Sequence, residues 1–166
     1  MIVVLMGVCG SGKTTTGQAL AAALDWPFRD ADDFHPPANV EKMAAGIPLI
    51  DADRWPWLDR IVDALAHAGA DKTNVVLACS ALREIYRERI ARAGNVRFVY
   101  LKGDLETIAS RLAGRTHKYM PASLLSSQFA TLEEPADAVV VDIRTDVAAQ
   151  VAAIRDALKL STPAST

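Results

Sequence analysis

Cysteine is scarce in this chain: Cys9 and Cys79 are the only two in 166 residues. They stand far apart, with no C-x-x-C spacing and no histidine cluster beside them, so neither a disulfide scaffold nor a zinc-type metal site is indicated. A reduced, cytoplasmic setting is the simplest expectation. An excess of one charge is also missing. Eighteen Lys and Arg face twenty Asp and Glu for a net charge of −2, which gives no electrostatic reason to expect nucleic acid or an anionic membrane as a partner. Long apolar runs are lacking too. The N-terminal stretch Ile2-Val3-Val4-Leu5-Met6 is five residues with no basic region before it, too short for a membrane span and unlike a signal peptide. No internal repeat, linker or second core interrupts the chain, so residues 1–160 are expected to form one domain and 161–166 a frayed tail. A chain of this length buries roughly 70% of its unfolded surface and needs no staple.

What is present begins at that short apolar run. It leads into Gly7-Val8-Cys9-Gly10-Ser11-Gly12-Lys13-Thr14, which satisfies G-x-x-x-x-G-K-[ST] at every fixed position. The run reads as a buried strand, and Thr14-Thr15-Thr16 open an alanine-rich helix, so the motif has the strand–loop–helix setting it requires. Glycines let the backbone turn its N–H groups inward, and the helix N-terminus adds a partial positive charge at the same spot. This is a phosphate-binding loop for a nucleotide. Its candidate nucleotide ligands are Gly7, Gly10, Ser11, Gly12, Lys13, Thr14 and Thr15. Lys13 is expected to reach the β- and γ-phosphates, and the Thr14 hydroxyl to hold Mg²⁺.

Further along, helical spacing covers residues 13–24, and Asp25-Trp26-Pro27 ends that helix. A short strand then runs into Asp30-Ala31-Asp32-Asp33. Residues 38–45 read as an amphipathic helix, 47–54 as a shaped loop marked by Pro48 and three charges, and 55–67 as a packed helix. The apolar run 75–79 is a central strand, followed by a helix over 83–93 and a strand over 97–101. Asp104 caps the next helix, which runs through Leu112. A basic segment, 114–122, breaks the rhythm as a flap or lid, before a helix over 122–129, a strand over 138–142 and a final helix over 146–158. Five strands alternating with helices make the fold class α/β, a parallel sheet covered on both faces.

The phosphate loop alone does not choose among kinases, motors and switches. GTPase parts are missing: Asn39, Asn74 and Asn95 are each followed by valine, and no glycine has an aspartate three positions before it. A motor needs more chain. A compact kinase of small molecules remains, with an acceptor pocket opposite the loop. Asp30 and Asp32 are its candidate chemical centre. They leave a strand toward opposite sides, so Asp32 is assigned as the base and Asp30 as a metal-shell ligand, with the reverse left open. Three crowded carboxylates also call for a compensating cation, which Mg²⁺ would be. Asp142, ending Val139-Val140-Val141, resembles a Walker B aspartate but is read as holding a loop or capping a helix.

Arginines form a second group: Arg54 in the proline loop, Arg83 and Arg87 one turn apart, and Arg111 and Arg115 beside the flap. Guanidinium suits bidentate recognition of carboxylate or phosphate. Arg83 and Arg87 are read as sharing a helix face and clamping an anionic acceptor, against the alternative of salt bridges to Glu84 or Glu88. Arg115, or Lys118, is expected to meet charge developing on the transferred phosphoryl group. Arg111, with the loop after Asp142, is a candidate for the adenine. His35 and His117 are candidates for acceptor hydroxyls, and His67 is read as structural.

These residues resemble one family closely. Asp30-Ala31-Asp32-Asp33-Phe34-His35-Pro36, Asn39-Val40-Glu41-Lys42-Met43, Asp51-Ala52-Asp53-Arg54, Pro56-Trp57-Leu58 and Cys79-Ser80-Ala81-Leu82-Arg83 with Tyr86-Arg87 are similar to the bacterial thermosensitive-type gluconokinases. So are Tyr100-Leu101-Lys102-Gly103 and Leu124-Leu125-Ser126-Ser127-Gln128-Phe129 through Thr131-Leu132-Glu133-Glu134-Pro135. The resemblance implies a cytoplasmic homodimer that phosphorylates D-gluconate at its 6-hydroxyl with ATP and Mg²⁺. It also implies the fold shared with shikimate and nucleoside-monophosphate kinases, with strand order 2-3-1-4-5. By the same resemblance Asp32 activates the hydroxyl, Arg54, Arg83 and Arg87 meet the gluconate carboxylate and hydroxyls, and His35, His117 and Gln128 contribute further contacts. Residues 115–120 would be the closing lid, although Thr116 stands where the family often has glycine. Cys9 occupies a variable loop position and needs no redox role. The rival readings are a shikimate-type or nucleotide acceptor, and a nucleotide-binding regulator without turnover.

Overall fold

Ile2–Met6 is wholly apolar and wholly buried, a pattern that suits a central strand covered on both faces. In the computed structural model, which describes residues 1–70, 73–113 and 122–161, that run is β1 (Ile2–Met6). It lies in the middle of a parallel sheet with β2 (Phe28–Asp30), β3 (Val75–Ala78), β4 (Val96–Lys102) and β5 (Val139–Asp142), in the order β2-β3-β1-β4-β5. The α/β class and the strand order are those the sequence led one to expect.

Alternation along β1 sends its side chains into two cores. Val3 and Leu5 join Leu20 and Leu24 of α1 (Lys13–Leu24), Ile108 of α5 (Leu105–Ala113) and Ile154 of α7 (Val147–Leu158). Ile2, Val4 and Met6 join Leu58, Ile61 and Leu65 of α3 (Asp51–Ala70) and Tyr86 and Ile90 of α4 (Glu84–Ala91). The remaining described helices are α2 (Pro37–Ala44) and α6 (Ala122–Thr131). None of the described helices is long and apolar enough to cross a membrane.

Register brings the site together. Leu5 of β1 and Asp30 of β2 both pair with Ala78 of β3, so the chain leaves the three strands at nearly the same level. The phosphate loop, the acidic turn and the Ser80 loop therefore share one edge of the sheet, where open α/β sheets bind ligands.

Two stretches differ from the sequence reading. α3 begins at Asp51, inside what Pro48 and three charges marked as a loop. The Ile50 N–H bonds the Asp53 carboxylate at 3.0 Å and the Ile50 carbonyl accepts from Arg54 N, a reciprocal cap that starts the helix four residues before its apolar periodicity becomes visible. Acidic residues in that first turn suit the helix dipole. The acidic stretch after β2 is also ordered, as a 3-10 turn (Ala31–Phe34) capped by Asp30.

Gly103 follows β4 where the chain passes closest to Ile143. An added Cβ there would stand 2.3 Å from Ile143 Cδ1 and 2.7 Å from its Cγ1. Gly103→Ala is expected to destabilise the protein by about 1–3 kcal/mol through overpacking, and by less in an Ile143→Ala background, as read from urea unfolding midpoints.

Candidate active site

The phosphate loop is shaped by two left-handed glycines. Gly12, at φ 95°, is the N-cap of α1, and Gly10, at φ 82°, lies so close to α5 that a Cβ would come within 2.9 Å of Leu112 Cγ. Gly7 N donates to Ser80 O at 3.2 Å, fastening the loop to the end of β3. Lys13 Nζ folds over the loop and donates to Gly7 O at 3.0 Å and Val8 O at 2.9 Å. Burial pulls the Lys13 pKa down, opposed by the nearby Cys9, Cys79, Asp32 and Asp30. Ser11 is 1% exposed, and its Oγ has no hydrogen-bond partner among the described residues. A buried hydroxyl left unpaired beside a helix N-terminus and an inward lysine suits an oxygen-rich anion, and these residues fit a polyphosphate. Cys79 is buried and its thiol is pushed up to about 12, so it stays protonated and inert.

Across from the loop stands the acidic edge. Asp30 Oδ2 accepts from Thr14 Oγ1 at 3.3 Å and Asp30 Oδ1 from Asp32 N at 3.1 Å, so Asp30 faces α1. Asp32 extends from the 3-10 turn with its side chain 87% exposed. The surrounding cleft and then Asp30 push its pKa upward, with His35 and Lys13 opposing, and the open carboxylate is screened by water. No group of three or more His, Cys, Asp or Glu forms a metal cage among the described residues. The Thr14–Asp30 pair instead fits Mg²⁺, which keeps waters and takes few protein ligands.

His35 follows the turn. Its ring stacks on Trp57 with centroids 4.4 Å apart and planes 11° apart, and its Nε2 lies 3.9 Å from Asp32 Oδ1. Trp57 is itself held by its Nε1–H donating to Ala31 O at 2.7 Å. Burial lowers the His35 pKa, Asp32 opposes that, and Arg54 adds to it.

Arg83 and Arg87 do not share a face as expected. Arg83 is the N-cap of α4 and pairs with Asp51 at 2.6 Å and with Glu133 at 3.6 Å, so its partners are neither Glu84 nor Glu88. Arg87 is buried, and its Nη1 donates to Ala81 O and Leu82 O at 3.0 and 3.1 Å. That brace supports Ala81, whose φ of 42° is unusual for a residue with a Cβ. Arg54 and Arg83 both approach the ring of Tyr86, at 5.6 and 5.7 Å. Tyr86 OH in turn donates to Asp51. Gln128, expected among acceptor contacts, bonds the phosphate loop instead: its Oε1 accepts from Cys9 N at 2.7 Å. Arg111 reaches Ile143 O after β5, beside the loop with which sequence paired it. Asp142 holds that loop through Arg144, which keeps its carboxyl at about 2. Arg115, His117 and the lid residues 114–121 lie outside the described residues.

Sequence reasoning passed over Asn39, Asp51, Tyr86, Trp57 and Gln150. Asn39 and Gln150 are buried polar residues, each 3% exposed. Gln150 takes the Thr16 hydroxyl and donates to Ile143 O and Thr145 O, tying α1 to the loop after β5. Gln150 could have been suspected as a polar residue beside the buried Val151 and Ile154 of α7, whereas Asn39 is the single buried residue of α2 and has no such signal.

A protein-family model described as shikimate kinase matches residues 9–157. The thermosensitive gluconokinase of Escherichia coli (strain K12) is 46% identical over 151 residues, covering 87% of this chain and 80% of that protein. The gluconokinase of Gluconobacter oxydans (strain 621H) is 48% identical over 136 residues, covering 81% and 76%. Among solved structures, a gluconokinase from Sinorhizobium meliloti 1021 superposes with a TM-score of 0.85 at 41% identity, covering 95% of this chain and 90% of that one. Its own phosphate loop and acidic edge, joined to this degree of identity, show that the chain belongs to the gluconokinase family of P-loop kinases.

Proposed function

We propose that this chain transfers the γ-phosphoryl group of ATP to the 6-hydroxyl of D-gluconate, giving 6-phospho-D-gluconate and ADP. The observation that carries the reading is the pair of carboxylates, Asp30 against Thr14 and Asp32 open to the cleft, facing a phosphate loop whose Ser11 hydroxyl is unpaired. Relatives named gluconokinase point to the acceptor.

In this reading the amides of residues 10–14 and the Ser11 hydroxyl hold the β-phosphate, with Gly7 and Thr15 flanking them. Lys13 exchanges its two loop carbonyls for phosphate oxygens. Mg²⁺, held by Thr14 and through Asp30, would neutralise charge on the β- and γ-oxygens. Asp32 accepts the proton of the 6-hydroxyl as that oxygen bonds the γ-phosphorus and the bond to ADP breaks. Gluconate is a monoanion with one primary alcohol, so holding its carboxylate decides which end faces the donor. Arg54 and Arg83 supply guanidinium for that end, with Asp51 as the carboxylate a substrate displaces from Arg83. Arg87 and Gln128 act through the Ala81 turn and the Cys9 amide, beside the substrate. Arg115 and His117 belong to the lid assigned from sequence, and Arg111 to the adenine side. Residues 1–160 as one kinase domain, 161–166 as a tail, and a cytoplasmic homodimer complete the proposal.

Coupled ADP release across gluconate, shikimate and AMP tests the acceptor. Turnover is expected with gluconate; turnover of shikimate or AMP with gluconate inert overturns the choice, and ATP binding without acceptor-dependent release makes the chain a regulator. Lys13→Ala is expected to lower kcat by at least ~10²-fold, since one preorganised cationic donor is lost. Asp32→Asn should leave ATP affinity by titration calorimetry within twofold and lower kcat ~10²–10⁴-fold; a near-normal kcat moves the base to Asp30 or removes it. Thr14→Ala should raise the Mg²⁺ concentration needed for half-maximal rate severalfold, and an unchanged requirement removes Thr14 as its ligand.

A further inference from the structure

Asn39 is a polar side chain buried behind His35, and no step of the proposed reaction uses it. Its Nδ2 donates to Asp53 O at 2.9 Å. A backbone carbonyl only accepts, so this bond sets which end of the amide is nitrogen. The same Nδ2 stands 3.3 Å from His35 Nδ1. With a donor opposite it, Nδ1 carries the lone pair, and the ring proton of neutral His35 resides on Nε2. That N–H faces Asp32 Oδ1 at 3.9 Å, and closing the gap by about 1 Å makes a hydrogen bond. Stacking on Trp57, itself pinned to Ala31 O, keeps the ring from turning away.

The charges around the ring are few. Asp32 comes from the turn preceding His35 and Arg54 from α3, while α2 contributes the neutral Asn39. The Asp53 carboxylate is engaged by Lys42 at 2.7 Å and by Ile50 N. Protonating Nδ1 would set two donors against each other, so Asn39 disfavours both the imidazolium and the other tautomer.

We propose that Asn39 is a positioning residue which holds His35 as the neutral Nε2–H tautomer, aiming that donor at Oδ1 of Asp32 and leaving the other carboxylate oxygen to take the acceptor's proton. The proposal rests on the reading of Asp32 as base. It gives both ring nitrogens of His35 partners within the protein, which replaces the contact with substrate hydroxyls expected from the sequence.

Long-range ¹H–¹⁵N spectra of the ¹⁵N-labelled, unliganded protein read the tautomer directly, with His35 assigned by its loss in His35→Gln. This readout needs no acceptor, so it stands apart from the choice of gluconate. Wild type is expected to show Nε2 protonated, and a protonated Nδ1 overturns the proposal. Asn39→Asp replaces the donor with an acceptor. It is expected to move the proton to Nδ1 and raise the His35 pKa by at least about one unit. It should also lower kcat about tenfold or more while the KM for ATP stays within twofold. In a His35→Gln background, which has no tautomer to set, the same change should cost less than a further twofold; an undiminished loss there shows a purely structural role and overturns the proposal. Should Asn39→Asp not fold, Asn39→Ala is expected to mix the Nδ1-protonated form into the spectrum, and an unmixed Nε2–H signal is the contrary result.

Discussion

The abrupt turn from the buried end of β1 into α1 is the physical constraint on which the structure depends. Met6 leaves the middle of the sheet paired to β4, with both faces of its strand covered, and within six residues the chain must reverse into a helix. Gly10 and Gly12 make that possible by adopting left-handed backbone that a Cβ would strain. The turn leaves a buried Ser11 hydroxyl without a partner and a lysine bent back over two loop carbonyls. An oxyanion satisfies them together, so the same strain that closes the loop makes it a phosphate site.

Everything on the acceptor side is arranged with respect to that loop by strand register. β2 is only three residues long, yet its pairing with β3 brings Asp30 level with Leu5 and against Thr14. The 3-10 turn then carries Asp32 out of the sheet edge, and Trp57 from α3 fixes the turn through the Ala31 carbonyl. A single indole thereby supports the carboxylate's turn on one side and the His35 ring on the other. Behind it, the brace of Arg87 on Ala81 and the Gly7–Ser80 bond join the third strand to the loop. The site is one hydrogen-bonded edge assembled from three strand ends.

Much of this was legible in the sequence. The phosphate loop, the alternation of strands and helices and the cluster Asp30-Ala31-Asp32-Asp33 each declare themselves by local pattern. The start of α3 did not, because its first turn is polar and its cap is the backbone of Ile50 answered by Asp53, a bond that apolar periodicity does not register. Arg83 and Arg87 misled for a related reason. One-turn spacing describes residues inside a helix, whereas Arg83 is an N-cap with extended backbone, φ −99° and ψ 148°, and its side chain follows another course. Gln128 read as an acceptor contact, yet it returns to the phosphate loop from 119 residues away in sequence.

The sequence by itself determined the chemistry at the donor end, because a phosphate loop is a contiguous string whose backbone conformation its own glycines dictate. It also marked Ile2–Met6 and Val75–Ala78 as buried strands, since a run apolar at every position suits cover on both faces. Only the tertiary structure decided how the acceptor half is wired. Which side chain stands opposite the His35 ring, which carboxylate faces Thr14, and which guanidinium is spent on backbone depend on partners brought together across the fold. Such contacts are made by packing across long sequence separations, and no local pattern encodes them.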